Sequence, residues 1–442
     1  MGAECQEVDD SGVPSPGITV LAFAIVCAIV FPLVLGMGMS RGLNHDEHQH
    51  IAAGALIARE GLVPYRDFPH FHTPYLSYAY AALFRSTDQL LNSARLLSAI
   101  CATAILGVIG AFGYVLFRKQ GRRTAWMVSG GSVVLAVTTM LFTQTAGRAW
   151  NHEPSLLLVL LAFVAQINGI RTGRVGWFGA GGILLGLAIG TRITCAPLVA
   201  PFGLVVLLHS RPRRLGWAEV FSFSGGLLVG LAGLVCLFAI VPEQAFFDNF
   251  GFAKANIAYR FSEGEPRTMT LLTKLRFFFK EIIRPDIALF LAGLLPITVA
   301  YLIKRGAGHR LPSAVPFLLL LLPFVMIGAL APSPAFDQYF LPLVPLLLIM
   351  GLYGLSSIPP ASIWSRRMMY AGLAMVLLSV GMGVRGFEDV DDYFNPSKWE
   401  GTRLNRRAQE LLTHVTHGRI LTLAPIYPLE AGLAIYLSLI HI

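Results

Sequence analysis

The sequence predicts an all-α polytopic membrane protein of about eleven transmembrane helices, and three observations carry that prediction. Of 442 residues, 55% are hydrophobic and only 13% are charged, against roughly 25% charged in an ordinary soluble domain. The mean hydropathy is +0.64. The apolar residues also fall in runs long enough to cross a hydrocarbon core, which needs roughly 20 of them per helix. Such a composition excludes a soluble enzyme, a disordered chain, a collagen-like repeat and a small disulfide scaffold.

The runs lie at 17–39, 93–117, 125–144, 151–170, 175–190, 193–209, 217–241, 286–303, 312–331, 338–356 and 368–384. The fifth and sixth are short and meet at Thr191-Arg192, as in a hairpin that does not cross fully on its outer side. Orientation follows from the loops. Arg118, Lys119, Arg122, Arg123, then Arg171, Arg174, then Arg211, Arg213, Arg214, then Lys304, Arg305, Arg310, then Arg366, Arg367 occupy alternate loops that hold no Asp or Glu. The positive-inside rule places that face in the cytoplasm. The net charge of +9 thus serves topology, and its scatter in short tufts argues against a nucleic-acid partner. The acidic leader 1–16 (Glu4, Glu7, Asp9, Asp10) is discordant, because it falls on the same side without a basic residue. It also lacks a basic n-region and a clear cleavage site, so 17–39 reads as an anchor helix. Cys27, Cys101, Cys195 and Cys236 lie in apolar runs and Cys5 in the leader, a distribution with no metal or redox spacing.

The transmembrane unit therefore spans 17–384, with the external face carrying loop 40–92, loop 242–285 and the tail from 385. Loop 40–92 has its own periodicity, which is unusual between two spanning helices. Asn44 and Glu47 have capping-box spacing, and Ile51, Ala55, Ala58 and Leu62 follow at helical intervals, which predicts an amphipathic helix on the membrane surface. Leu62-Val-Pro-Tyr-Arg-Asp-Phe68 then reads as a turn, and Thr73-Pro74 opens a second apolar, aromatic juxtamembrane stretch ending at Arg85. From Arg385 the composition changes to Glu388, Asp389, Asp391 and Asp392, followed by a helical stretch over 397–415 and a strand at 419–423. This is the start of a small α/β extracytoplasmic domain, too short to bury a core alone. Residues 437–442 resemble the translation of a transposase library adapter and are read as non-native, with the native chain continuing differently after Tyr436.

Ionisable residues at a membrane boundary are costly and mark function by default. Asp46 lies in the first turn of the surface helix, where the dipole favours a carboxylate. Its bland role is a cap, but Asn44 and Glu47 already supply one, which leaves Asp46 for another task. Glu153 in Arg148-Ala-Trp-Asn-His-Glu-Pro154 stands at the outer start of the fourth run, where capping is the competing role. Arg192, at the outer turn of the short hairpin, suits a phosphate; its plain alternative is a snorkelling interfacial arginine. His45, His48, His50, His70, His72 and His152 crowd the same face, more than half of the 11 histidines. With carboxylates they suit a divalent ion such as Zn or Mn, yet their spacing matches no closed zinc pattern. The expectation is a substrate-lining cluster with no resident metal or cofactor, a divalent ion being the alternative.

In order along the chain, Asp46-Glu47, Gly61-Leu-Val-Pro-Tyr-Arg-Asp-Phe68, His72-Thr-Pro-Tyr75, Asn151-His-Glu-Pro154, Gly190-Thr-Arg192 and Gln338-Tyr-Phe-Leu-Pro342 resemble the C-class membrane glycosyltransferases. The likeness covers 17–356 and is to the branch with protein O-mannosyltransferases and the lipid A aminoarabinose transferase. The resemblance implies that Asp46 is the general base on the acceptor and Glu153 a second catalytic carboxylate. It implies donor phosphate contacts from Arg192, which stands where the family often has Lys, and from Tyr339. The family commonly has a basic residue before that tyrosine, whereas Asp337 and Gln338 precede it here. Arg260, in a basic and aromatic loop that could cover the donor, is a further phosphate candidate, and Glu47, Tyr65, His72 and His152 are expected to line the substrate cavity. The implied activity is inverting transfer of a sugar from a polyprenyl phosphate to an acceptor hydroxyl on a lipid, glycan or protein, at the periplasmic face of a bacterial inner membrane. A transporter or flippase of lipid-linked sugars is the main alternative, but it would favour internal repeats and mid-membrane ionisable residues, and here these cluster at the outer boundary. A noncatalytic assembly subunit, with Asp46 and Glu153 as caps, is the third.

Overall fold

The computed structural model describes residues 16–210, 217–264, 269–306, 311–387, 390–415 and 418–436. The leader, Arg211, Arg213, Arg214, Arg310, Glu388, Asp389 and segment 437–442 therefore lie outside the described residues.

In chain order the helices are α1 (Pro16–Ser40), α2 (His45–Glu60), α3 (Tyr75–Phe84), α4 (Leu90–Phe117), α5 (Arg122–Val137), α6 (Met140–Thr145) and α7 (His152–Thr172). Next come α8 (Val175–Thr191), α9 (Val199–Ser210), α10 (Trp217–Ile240), α11 (Pro242–Phe246), α12 (Phe252–Ser262) and α13 (Leu271–Phe277). The chain continues through α14 (Ile287–Gly306), α15 (Ala314–Leu330), α16 (Leu343–Ser356), α17 (Ile363–Gly383), α18 (Val390–Tyr393), α19 (Glu400–Leu412) and α20 (Ile426–Glu430). Strands β1 (Arg419–Leu421) and β2 (Ala434–Tyr436) pair in parallel, with Ile420 opposite Ile435.

All eleven expected runs contain helix. Among the described residues, seven helices are long and apolar enough to cross a membrane, and Val175–Thr191, Ile193–His209 and Ala314–Leu330 are shorter apolar helices. The run 125–144 is a correction, because it breaks between α5 and α6. Thr138 and Thr139 sit at the break, where hydroxyls compete for backbone partners. The Thr138 hydroxyl lies 2.8 Å from that of Ser379, while Thr139 Oγ1 accepts from Phe142 N. Asp286 completes the break by accepting from Met140 N at 2.7 Å and Leu141 N at 3.0 Å.

Small residues set the closest helix crossing. Gly182 and Gly186 on α8 face Gly226 and Gly230 on α10, both at four-residue spacing, so the two backbones touch; a Cβ on Gly230 would stand 2.3 Å from the Ile183 carbonyl oxygen. Where lipid offers no hydrophobic drive between helices, such close backbone contact is what holds them together.

A second hydrophobic core lies outside the spans. It joins Ile51, Ala52, Ala55 and Leu56 of α2 with Leu76, Tyr80 and Phe84 of α3, the first turns of α4, and Leu404, Ile426, Leu429 and Ile435 of the tail. Helix α2 of the expected external loop is buried over residues 51 to 57, packed with α3, the start of α4 and the tail. The tail shares this core instead of building one, and each of its large apolar side chains gains about 1.5–3 kcal/mol from burial. Polar contacts fix the docking. Glu430 accepts from Leu90 N and Leu91 N at the start of α4, Arg59 donates to the Leu429 carbonyl, and Arg419 pairs with Glu60 at 2.8 Å.

Candidate functional site

Helix α2 opens with the cap its sequence foretells. Asn44 Oδ1 accepts from Asp46 N and Glu47 Oε2 accepts from Asn44 N, both at 2.9 Å. The Asp46 carboxylate is spared, and among the described residues no hydrogen bond or ion pair engages it. Its side chain is half-buried; burial raises its pKa, opposed by His45 and Arg148 and reinforced by Glu47.

Glu47 has a different fate from its neighbour. Expected in the substrate cavity, it is fully buried in a bidentate pair with Arg95, at 2.8 Å to Nε and 2.7 Å to Nη2. It also accepts from Ala149 N at 2.9 Å, and Arg95 donates to the carbonyls of Gly38, Arg41 and Gly42. Although burial alone would raise the Glu47 pKa, the charge and hydrogen bonds of Arg95 lower it. Glu47 is a clamp that ties α1, α2, α4 and the segment before α7 together. Arg95 escaped the sequence reading, yet a lone charge inside the run 93–117 was its signal.

The segment before α7 is placed by glycine. Gly147 has φ +77°, and a Cβ there would stand 2.7 Å from Gly38 Cα. Beyond it, Arg148 lies over the Trp150 ring at 5.3 Å and Trp150 packs edge-on to His152 at 5.6 Å. His152 contacts the Arg192 guanidinium through Nδ1 and stacks on Tyr339 with centroids 5.9 Å apart. Arg192 lies over Tyr339 at 5.0 Å and donates to Thr194 Oγ1 at 2.8 Å. Asp46, Arg192 and Arg260 all fall within electrostatic reach of the Tyr339 phenol. His72 accompanies them, 4.7 Å from His50 between ring centroids and 2.7 Å from Gln49 Oε1 through Nε2. Burial, with neighbouring His72, His70 and Arg192, depresses the His50 pKa well below its ordinary value, and burial with His72 takes His70 down to about 3. These rings are neutral at pH 7. Among the described residues, no group of three or more His, Cys, Asp or Glu is placed to hold a metal ion.

Two hollows meet at this cluster. The smaller, about 60 Å³, is an apolar slot between α7, the turn 193–198, α15 and α16 with His152, Arg192 and Tyr339 at its polar end and Leu160, Phe163 and Leu321 along it. The larger, about 730 Å³, is lined by polar residues that include Arg41, Arg148, Asp286 and Asp337. Trp150 and Gln338 face the large hollow, while His152 and Tyr339, close by in sequence, face the slot, so these two short segments form the shared wall. Asp46 lines neither hollow but acts electrostatically on Arg148 of one and Tyr339 of the other.

Two expected site residues are placed elsewhere. Tyr65, held at φ +67°, packs with Leu237 and Ala245 and donates to the His72 carbonyl at 2.6 Å; it supports the His72 turn from behind. Glu153 is fully buried and lines neither hollow. Both its carboxylate oxygens lack a hydrogen-bond partner, and Arg41, Arg148 and Arg192 act on it electrostatically. Arg41, Trp150 and Asp286 join the site unannounced, since only the tertiary contacts assemble them.

The fold defines a polytopic membrane protein with an apolar slot ending in the half-buried Arg192 guanidinium, a group that suits an anion. Among solved structures the chain is similar to ArnT from Cupriavidus metallidurans. The crystal structure bound to undecaprenyl phosphate aligns with a TM-score of 0.60 at 15% identity, over 95% of this chain and 86% of that one; the apo structure gives 0.58 at 16%, over 95% and 85%. The chain therefore has the fold that its ordered motifs implied. No family model and no curated protein matches it.

Proposed function

We propose that this protein is an inverting glycosyltransferase that moves a sugar from a polyprenyl phosphate to an acceptor hydroxyl at the extracytoplasmic face. The observation that carries the reading is Arg192, half-buried at the polar end of the apolar slot and braced by His152 and Tyr339, with the Asp46 carboxylate, unengaged among the described residues, within electrostatic reach of Tyr339. The phosphate would meet Arg192, with no more than the first carbons of the prenyl chain entering the slot. Arg260, on α12 of the external loop, would add a second positive charge. The ArnT structure that shares this fold binds undecaprenyl phosphate, which supports a lipid-linked donor. The basic clusters at the opposite ends of α4, α7, α14 and α17 support an external site.

In the reaction Asp46 takes the acceptor O–H proton as its oxygen attacks the anomeric carbon. The bond from that carbon to the phosphate oxygen breaks, and the electron pair leaves on the phosphate, held by Arg192. Attack opposite the leaving group inverts the anomeric centre. Base catalysis of this kind supplies about 10²- to 10⁴-fold, and a positioned cation adds charge stabilisation where water is excluded. Glu153, the second carboxylate of the reading, lies within electrostatic reach of Arg41, Arg148 and Arg192.

Asp46→Asn, assayed in membranes with a radiolabelled prenyl-phosphate sugar, is expected to lose transfer by about 10²-fold or more while keeping donor binding and abundance. Full activity would remove Asp46 as the base. Passage of intact donor across the bilayer with no new glycosidic bond would mark a flippase instead.

A further inference from the structure

We infer that His152 is a positioning residue for Arg192: its neutral imidazole, protonated on Nε2, uses the Nδ1 lone pair to hold the guanidinium in a pose that leaves Nη2 for an anionic headgroup. The inference rests on the transferase reading for the identity of that anion, and it adds what orients the group that binds it.

The chemistry of the contact places the proton. A guanidinium has N–H donors and no lone pair to offer. The His152 Nδ1 that meets Arg192 Nη1 is therefore the acceptor, and the ring is neutral with its proton on Nε2. The preceding residue repeats the pairing, because Asn151 Nδ2 donates to the Thr191 carbonyl at 3.4 Å. Asn151-His152 at the start of α7 thus meets Thr191-Arg192 at the end of α8 residue by residue. The His152 side chain is itself fixed: it is buried, stacks on Tyr339 with 22° between planes and has Trp150 edge-on at 5.6 Å.

These contacts hold the half-buried guanidinium on several sides. Nε donates to Thr194 Oγ1 at 2.8 Å, Nη1 to His152, and the central carbon lies 5.0 Å from the Tyr339 ring centroid. Nη2 engages no group among the described residues, and Arg192 stands at the polar end of the slot. A planar fork oriented in advance loses less freedom when it meets an anion. A lysine here would be a rotatable point charge with no plane to orient.

The test uses the full chain in nanodiscs with undecaprenyl phosphate as the probe, reading its equilibrium binding and, separately, sugar transfer. His152→Phe keeps a ring over Tyr339 and loses the acceptor, and its affinity is expected to fall about tenfold. His152→Asn, whose side-chain oxygen accepts near the place of Nδ1, should recover most of that loss. Thr194→Val, which removes the other acceptor and keeps the shape, should weaken binding in the same direction. In an Arg192→Lys background the loss caused by His152→Phe should shrink below about threefold. A merely structural ring would leave Asn as weak as Phe and the loss unchanged beside lysine; either result overturns the inference, as does wild-type affinity in His152→Phe. If His152→Phe fails to accumulate, Thr194→Val decides, and unchanged affinity there is equally fatal. The expected pattern in a chain that transfers no sugar upholds the positioning role and defeats the transferase reading, whereas a wild type that binds no undecaprenyl phosphate defeats both.

Discussion

Asp46 and Glu47 are adjacent carboxylates with opposite environments, and those environments divide their roles. Glu47 is buried against Arg95 and held ionised, whereas Asp46 is half-buried, without an ion pair among the described residues, and raised in pKa by burial. A base works only when deprotonated, so transfer should fall as pH drops through the Asp46 value, and this acidic limb should lie above the ordinary carboxylate range. The Glu47–Arg95 clamp makes a separate prediction. Arg95→Met leaves a buried, uncompensated carboxylate and should cost about 3–5 kcal/mol, read as a lowered thermal midpoint. Adding Glu47→Leu should recover part of the loss; a double variant as unstable as the sum of the singles would refute the pairing argument.

Element packing separates what holds the bundle from what holds its outer layer. At the α8–α10 crossing the backbones touch through glycines, so Gly230→Leu should force the helices apart. The expected result is loss of folded protein or a large drop in thermal midpoint; near-wild-type stability would mean the crossing is not as close as described. The tail docks through Glu430, whose burial lifts its pKa to about 7 despite amide hydrogen bonds from Leu90 and Leu91 that pull it down. The folded value exceeds the unfolded one near 4.5. The folded state thus binds more protons between them, and its stability declines as pH rises from about 4.5 to 7, by at most about 3 kcal/mol. Protection of the Leu90 and Leu91 amides, corrected for the intrinsic pH dependence of exchange, should be greater at pH 5 than at pH 8 in the wild type, and this difference should shrink in Glu430→Gln. Equal protection at both pH values in the wild type would contradict it.

Across the whole molecule, basic loops at one face and the site at the other require a fixed orientation. In a chain whose native cysteines are replaced, Gly42→Cys should react with an impermeant maleimide from outside, and Lys119→Cys only after permeabilisation. The reverse pattern would invert the topology and move the site to the cytoplasm. Hydropathy and capping are properties of neighbouring residues, so the fold class and the Asn44–Glu47 cap that spares Asp46 were readable by inspecting one stretch at a time. Other features depend on partners far apart in sequence. Glu47 meets Arg95 across 48 positions, Asp286 ends the α5 run across 146, and the tail packs against α2. Only the tertiary structure could decide that Glu47 and Tyr65 are supports, that Glu153 is fully buried and lines neither hollow, and that Trp150 opens onto a polar hollow. Local composition sets where a helix forms and how it crosses; which of its charges is neutralised and which stays available depends on the distant groups that folding brings against it.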